Sequence, residues 1–286
     1  MKTGQGKCPD PFSLLADDVH MTTLPFTADY LQELQTATDE IARAAGRLLQ
    51  EKFAQPRQIQ LKGARDLVTD ADFAAQKLIT DFLRARYPEH GFLTEEKDGD
   101  LPADGPVIWV IDPLDGTSNY SRQQPQYCVS IAAIAADQAP LCGAVYDPVR
   151  DELFSAARGQ GCRLNGQPIH VYPLEETAAA LVCFDWNRLP HKQAGILRLL
   201  EQLAPLVHSV RATGSAALAL AWVAAGRLDG YFNFGLNAWD MAAGQLLIAE
   251  AGGVTSNLRG EPWRLMDGNC LAGGASVHAL LRQIAL

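Results

Sequence analysis

The 286-residue chain lacks any apolar run long enough to cross a bilayer: its most apolar stretch, Ala216–Ala225, is about half a span. It is short of basic residues, with 24 Lys and Arg against 33 Asp and Glu and a net charge of −9. That balance argues against a general binder of phosphate backbones or of anionic membrane surfaces. Neither C-x-x-C nor H-x-x-x-H spacing occurs, which tells against a zinc site. The six cysteines (Cys8, Cys128, Cys142, Cys162, Cys183 and Cys270) are widely scattered, as reduced core thiols of a cytosolic protein would be. Both G-x-G-x-x-G and G-x-x-x-x-G-K-S/T are missing, so a nucleotide-binding enzyme is disfavoured. The Gly159-Gln-Gly161 pair falls between strand candidates and reads as a hairpin element. There is no internal repeat or low-complexity tract. The N-terminal segment carries Lys2 and Lys7 with no apolar stretch behind them, so no secretory signal is expected and the location expected is cytoplasmic.

What is present suits a packed enzyme-sized unit. Hydrophobic residues make up 48% of the chain and charged ones 20%, which excludes disorder, collagen and coiled coil. At this length roughly 75% of the unfolded surface is buried on folding, so the core needs no staple. Residues 1–26 read as a loose arm. Thr27 can cap a helix with Leu31, Leu34, Ile41, Ala45 and Leu48 on one face, and Thr69 a second carrying Phe73, Leu78, Ile79, Phe82 and Leu83. Strands are predicted at Gly91–Thr94, Val107–Ile111, Tyr127–Ala135, Leu141–Tyr146 and Glu152–Ala157. From about residue 180 strands alternate with helices: Leu181–Phe184, then Lys192–Leu206; His208–Val210, then Gly214–Gly226; Gly230–Asn233, then Trp239–Ala251; and a last helix at Gly274–Leu286. The expected fold is α/β, with a lobe over 27–180 that is a helix pair on a mainly antiparallel sheet. An α/β lobe over 181–286 follows, and the site lies between the two in one compact unit.

Acidic residues sit where apolar strands end. Val107-Ile-Trp-Val-Ile111 runs into Asp112-Pro-Leu-Asp115-Gly, where Pro113 should stop the ladder and Gly116 permit a tight turn. Gly91-Phe-Leu-Thr94 ends in Glu95-Glu96, and the segment after Asn233 leads to Asp240 at a helix start. Each has an ordinary reading: an N-cap for Asp115 or Asp240, a solvated loop for Glu95-Glu96, a capping-box partner of Thr69 for Asp72. If the segments converge, carboxylates about 4 Å apart repel by roughly 4 kcal/mol per pair at an effective dielectric of 20. Such a cluster takes up protons or cations, and an all-oxygen donor set selects Mg²⁺-like ions. A phosphate-bearing substrate follows from that.

These residues resemble the inositol monophosphatase family of Mg²⁺-dependent, lithium-sensitive phosphatases. The likeness is carried by Lys62-Gly-Ala-Arg-Asp66-Leu-Val-Thr69-Asp-Ala-Asp72, Thr94-Glu95-Glu96, Trp109-Val-Ile-Asp112-Pro-Leu-Asp115-Gly-Thr117-Ser-Asn-Tyr120, Gly214-Ser-Ala-Ala217 and Trp239-Asp240-Met-Ala-Ala-Gly244. The resemblance implies an αβαβα layered sandwich of the sugar-phosphatase type, usually a homodimer. It implies two to three Mg²⁺ ions, with Mn²⁺ able to substitute: Glu95, Asp112 and the Leu114 carbonyl on the first, and Asp112, Asp115 and Asp240 on the second. Glu95, through a weaker third ion, would help place the attacking water. Thr117 with Asp72 would orient and deprotonate that water, with Glu96 and Lys62 in support. The amides of Gly116, Thr117 and Ser118 would receive the phosphate, and Asp115, Gly214, Ser215, Ala216, Asn233 and Asp240 would line the substrate site. The implied substrate is inositol 1-phosphate or another small phosphorylated alcohol: a sugar phosphate, histidinol phosphate or, less in keeping with Asp115-Gly-Thr-Ser-Asn119, adenosine 3′,5′-bisphosphate.

One position departs from that pattern. Inositol-directed members often carry glutamate where this chain has Asn233, whose amide both donates and accepts and bears no charge. Arg188, His191 and Arg211 are further candidates near the alcohol, although surface charges are more often idle. Two competing readings stand beside this one. In the first, Leu67-Val-Thr-Asp70-Ala-Asp72 faintly imitates the D-x-D of haloacid dehalogenase-type phosphatases. In the second, the fold serves as a non-catalytic binding module.

Overall fold

The computed structural model describes residues 26–55, 59–63, 66–96 and 104–285, with the backbone alone at 59–63 and 66. The expected arm therefore lies outside the described residues but for its last. Thr27 caps α1 (Ala28–Phe53), its side chain accepting from the Tyr30 amide at 3.2 Å. Leu34, Thr38, Ile41, Ala45 and Leu49 bury one face at three- and four-residue spacing. A two-stranded antiparallel hairpin, β1 (Ile59–Gly63) and β2 (Asp66–Thr69), leads into α2 (Asp70–Arg86).

Seven strands follow in one sheet whose order is the chain order: β3 (Gly91–Thr94), β4 (Val107–Asp115), β5 (Cys128–Ala135), β6 (Pro140–Asp147), β7 (Glu152–Ala157), β8 (Cys162–Leu164) and β9 (Gln167–Ile169). Only the β3–β4 pair is parallel. A short helix, α3 (Thr117–Ser121), leaves the end of β4. The second sheet has the order β11-β10-β12-β14-β13. Its strands are β10 (Leu181–Phe184), β11 (Ser209–Ala212), β12 (Gly230–Asn233), β13 (Val254–Ser256) and β14 (Cys270–Gly273). Between them run α4 (Pro190–Leu203), α5 (Ala216–Ala224) and α6 (Ala238–Glu250), and α7 (Ala275–Ala285) closes the chain.

The layers follow from which faces touch. Helices α1 and α2 cover one face of the large sheet; α5 and α6 fill the space between the two sheets; α4 and α7 cover the far face of the small sheet. The result is an αβαβα sandwich. Strand alternation assigns residues to cores: Val107, Trp109 and Ile111 of β4 face α1 and α2, whereas Ile108 and Val110 face α5 and α6. Both middle helices are rich in alanine, and Gly244 of α6 lies where a Cβ would come 2.6 Å from Leu220 Cβ of α5. Small residues let the pair fit between two sheets.

Several elements differ from the sequence reading. Strand β4 does not stop at Ile111 but continues to Asp115 past an irregularity between Asp112 and Asp115. Pro113 interrupts the ladder without ending it. The helix expected at 214–226 is shorter because Gly214 has φ +73° and Ser215 is extended. The one expected at 192–206 begins at Pro190, a residue suited to a first turn, and passes into a 3₁₀ turn at Ala204–Leu206 around Pro205. Strands β1, β2, β8, β9, β13 and β14 escape the sequence reading, being short and lacking alternation. The Gly159-Gln-Gly161 stretch joins β7 to β8, and the Glu250 carboxylate accepts from both glycine amides, at 2.7 and 2.8 Å. The five described cysteines are unpaired and buried, while Cys8 lies outside the described residues. Among the described residues no helix is long and apolar enough to cross a membrane.

Candidate active site

A spacing of three should put Asp112 and Asp115 on opposite faces of a strand. They are brought to one face by a bulge. Asp112 pairs with Ser130 and Asp115 with Cys128, leaving two residues between them on β4 against one on β5. Leu114 consequently joins the core under α1 and α2, while Asp115 turns to the α5 side. The Leu114 amide donates to Asp112 Oδ1 at 2.9 Å, which locks the bulge. Asp240 arrives from the first turn of α6, where its carboxylate accepts from the Asn237 amide at 2.7 Å. Carboxylate oxygens of Asp112, Asp115 and Asp240 all lie within 4.8 Å of one another.

The cluster is electrostatically strained. Burial, and then the charges of Glu95, Asp115 and Asp240, push the Asp112 carboxyl well above its ordinary range, and a hydrogen bond with Glu95 adds to this. Burial raises Asp240 similarly, with Asp115 the next contributor. Asp115 is also raised by burial, but donors at the start of α5 offset part of that: Ser215 Oγ at 2.7 Å and the Ala217 amide at 2.7 Å. Glu95 is thus a hydrogen-bonding neighbour of Asp112. Its amide donates to the Ile111 carbonyl at 3.1 Å. The Glu95-Glu96 segment is no solvated loop, since Glu96 is buried and Gln76 clamps its backbone, accepting from the amide at 3.1 Å and donating to the carbonyl at 2.8 Å.

The donor set fits a hard divalent ion. Oxygen donors from two elements converge, and a nearby sulfur, Cys128 Sγ at 3.8 Å from Asp115, is held as a thiol by burial. Such a site could hold a metal, with Asp112, Asp115 and Asp240 as its nucleus.

Beside the cluster, Asp72 is fully buried and contacts both Thr69, as a capping-box partner, and Thr117. Its Oδ2 accepts from the amide (2.8 Å) and hydroxyl (2.6 Å) of Thr69, while Oδ1 lies 3.1 Å from Thr117 Oγ1. Thr117 Oγ1 is also 3.1 Å from the Leu114 carbonyl. Gly116 opens this turn at φ +94°, and a Cβ there would lie 2.7 Å from the Gln126 carbonyl and 3.3 Å from Ser215 Cβ. The loops carrying Gly116 and Gly214–Ser215 therefore pack together, with Ala216 beginning α5 and Ser118 exposed. Lys62 lies on β1, but its side chain is outside the described residues. Arg211 turns back onto Ser209 Oγ and the Val210 carbonyl of its own strand.

Two further residues lie near the cluster, the first of them outside every motif. Asp185, just past β10, is buried and pushed up to about 7, first by burial and further by the charge of Asp115. It accepts from the Gly214 amide at 2.5 Å and from Tyr231 Oη at 3.0 Å. A lone aspartate after an apolar strand was the only available signal. Asn233 is buried, and its Nδ2 donates to Tyr231 Oη at 3.0 Å.

Comparison with known proteins agrees with the geometry. The sequence pattern of the inositol monophosphatase family matches residues 30–285. Nus factor SuhB of Escherichia coli (strain K12) is 40% identical over 239 residues, covering 82% of this chain and 89% of that protein. Inositol-1-monophosphatase of Synechocystis sp. is 39% identical over 261 residues, 90% of each chain. The crystal structure of extragenic suppressor protein suhB from Bartonella henselae superposes with a TM-score of 0.84 at 33% identity, covering 88% of this chain and 98% of that one.

Proposed function

Since the chain belongs to the inositol monophosphatase family, we propose that it hydrolyses a small phosphate monoester, inositol 1-phosphate foremost, with Mg²⁺ as cofactor. The observation that carries this reading is the convergence of Asp112, Asp115 and Asp240 within 4.8 Å. Those three, with Glu95 and the Leu114 carbonyl, would hold the ions. Bound Mg²⁺ supplies a lowered pKa for water and neutralises phosphoryl charge.

The chain's own residues supply the rest. With its proton directed to Asp72 Oδ1, the Thr117 hydroxyl oxygen is left to accept from the attacking water. As water attacks phosphorus and the ester P–O bond breaks, a proton passes from water to Thr117 and from Thr117 to Asp72, while the departing alkoxide takes a proton from solvent and leaves as the alcohol. The amides of Gly116, Thr117 and Ser118 orient the phosphoryl oxygens, and Ser215 keeps Asp115 aimed into the cluster. Glu96 and Lys62 act in support, and Gly214, Ser215, Ala216 and Asn233 line the alcohol side. The reading includes a homodimer, which sedimentation would test. It also includes inhibition by Li⁺.

The test is phosphate release from inositol 1-phosphate, histidinol phosphate, fructose 1,6-bisphosphate and adenosine 3′,5′-bisphosphate, with and without Mg²⁺ and Li⁺. Turnover should require Mg²⁺, peak on inositol 1-phosphate and vanish in Asp112→Asn and Asp240→Asn. The name of the Escherichia coli relative, Nus factor SuhB, favours a second reading in which the chain serves as a Nus factor beside or instead of hydrolysis. Well-folded protein inert toward every ester at every Mg²⁺ level would favour that second reading.

A further inference from the structure

We infer that Asp185 and Tyr231 are positioning residues that fix the Asn233 side-chain amide with its oxygen toward the substrate. The site then selects phosphate esters whose alcohol carries a free hydroxyl. This rests on the phosphatase reading and adds to it the means by which the alcohol is chosen.

Strand alternation puts the three residues together. Tyr231 and Asn233 are two apart on β12, and so share a face. That face is the one toward α5 and α6, because Tyr231 packs in their core while Phe232 packs in the core under α4 and α7. Strand β10 runs parallel beside it, with Cys183 opposite Tyr231 and Phe184 opposite Phe232. Asp185 therefore emerges at the same end of the sheet, level with Asn233.

Hydrogen-bond polarity then decides the amide's orientation. Asp185 Oδ1 takes the Gly214 amide at 2.5 Å, and Oδ2 takes the phenol of Tyr231 at 3.0 Å. A phenol has one proton. With that proton given to the carboxylate, Tyr231 Oη can only accept from Asn233, so Nδ2 of the amide turns to it, at 3.0 Å. With Asp185 ionised, a flipped amide would set its oxygen against the phenol oxygen, two acceptors facing each other. The amide oxygen is left buried, with no partner among the described residues, in a residue only 4% exposed. A buried acceptor without a donor is costly and calls for one to be supplied.

The position of the chain of bonds identifies the donor. Gly214, held by Asp185, is followed by Ser215, whose hydroxyl binds Asp115 at 2.7 Å. Asp115 and Asp185 are near enough to feel each other's charge, and Asp240 feels Asp185 as well. The orphan oxygen thus stands beside the phosphate-handling cluster, where the alcohol half of a small ester lies. A hydroxyl of that alcohol is the fitting donor. The acceptor it meets is neutral, and the carboxylate that sets its direction stands behind it at residue 185.

The experiment compares inositol 1-phosphate with phenyl phosphate, which has no hydroxyl on its alcohol half. In Tyr231→Phe, which removes one oxygen and leaves the ring in its core, KM for inositol 1-phosphate should rise about tenfold, with kcat altered less than about twofold. The ratio of kcat/KM for the two esters should fall by a similar factor. Asp185→Asn should move the ratio the same way. The double variant Tyr231→Phe with Asn233→Ala should be no worse on inositol 1-phosphate than Asn233→Ala alone, because the phenol acts through the amide. Equal losses on both esters, or additive losses in the double variant, would overturn the proposal, and an ordered water would then be the donor. If the unaltered protein released phosphate from neither of these esters nor from the rest of the panel above, the phosphatase reading itself would fall, and this inference with it.

Discussion

At the scale of single residues, carboxylates withdrawn from water divide into those with work at the cluster and those without. Asp39 on α1 is far from it and pairs with Gln35 Nε2 at 2.5 Å. Burial pushes its carboxyl up to about 6 from an ordinary 3.8, against the opposing pull of Gln35 and Arg43. The folded protein thus holds a proton between about pH 4 and 6 that the unfolded chain has released. Stability falls as pH rises through that window, and the whole penalty is present above it. A rise of that size corresponds to about 3 kcal/mol at most. Asp39→Asn should therefore raise unfolding free energy at pH 8 by about 1–2 kcal/mol and have little effect at pH 4, as urea titrations at the two pH values would show. The sequence offered no hint of this aspartate. Asp112, Asp115 and Asp240 were legible because apolar strands and a helix start led directly into them. Asp185, Tyr231 and Asn233 were not legible as a set. Asp185 and Tyr231 are 46 residues apart and meet only through the register of two parallel strands, which no local pattern encodes.

At the scale of elements, the site depends on one irregular strand and two close-packed helices. Read from spacing, Asp112 and Asp115 belonged together only if the chain turned after Ile111. The structure keeps the strand going and uses the bulge instead, because Pro113 cannot donate to the ladder while Asp115 can resume pairing opposite Cys128. The general composition of the middle helices was legible, but their function as a spacer between two sheets was not, since nothing local states what lies on each side. Their contact makes a sharp test. Alanine at 244 would drive Cβ to 2.6 Å from Leu220 Cβ, a group near the backbone that cannot swing away. Gly244→Ala gains up to about 1 kcal/mol in helix propensity, yet overpacking costs about 1–3 kcal/mol. Net destabilisation is expected in thermal unfolding. The same variant should bind Mg²⁺ more weakly, because α5 supplies the donors to Asp115 and α6 carries Asp240.

At the scale of the molecule, the carboxylate cluster opposes folding unless a cation joins it. Three acidic side chains from β4 and α6 are drawn together, Asp112 and Asp115 buried and Asp240 half-buried, and each is displaced upward in pKa by desolvation. The protein therefore carries a local penalty that its layered cores must outweigh, as functional sites commonly do. Replacing Asp112 by Asn removes the most central charge and leaves the shape of the side chain. In metal-free protein, Asp112→Asn should be more stable than the parent by about 1–3 kcal/mol, the scale of one screened repulsion. Added Mg²⁺ should reverse the order. A ligand that binds the folded chain at about a hundred times its Kd adds about 2.7 kcal/mol, so the parent should gain several degrees in Tm while the variant gains little. Calorimetry of both proteins with EDTA and with Mg²⁺ reads all four values at once. Parallel Tm shifts in parent and variant would place the ion elsewhere, and equal metal-free stabilities would mean that the three carboxylates already share protons rather than charge.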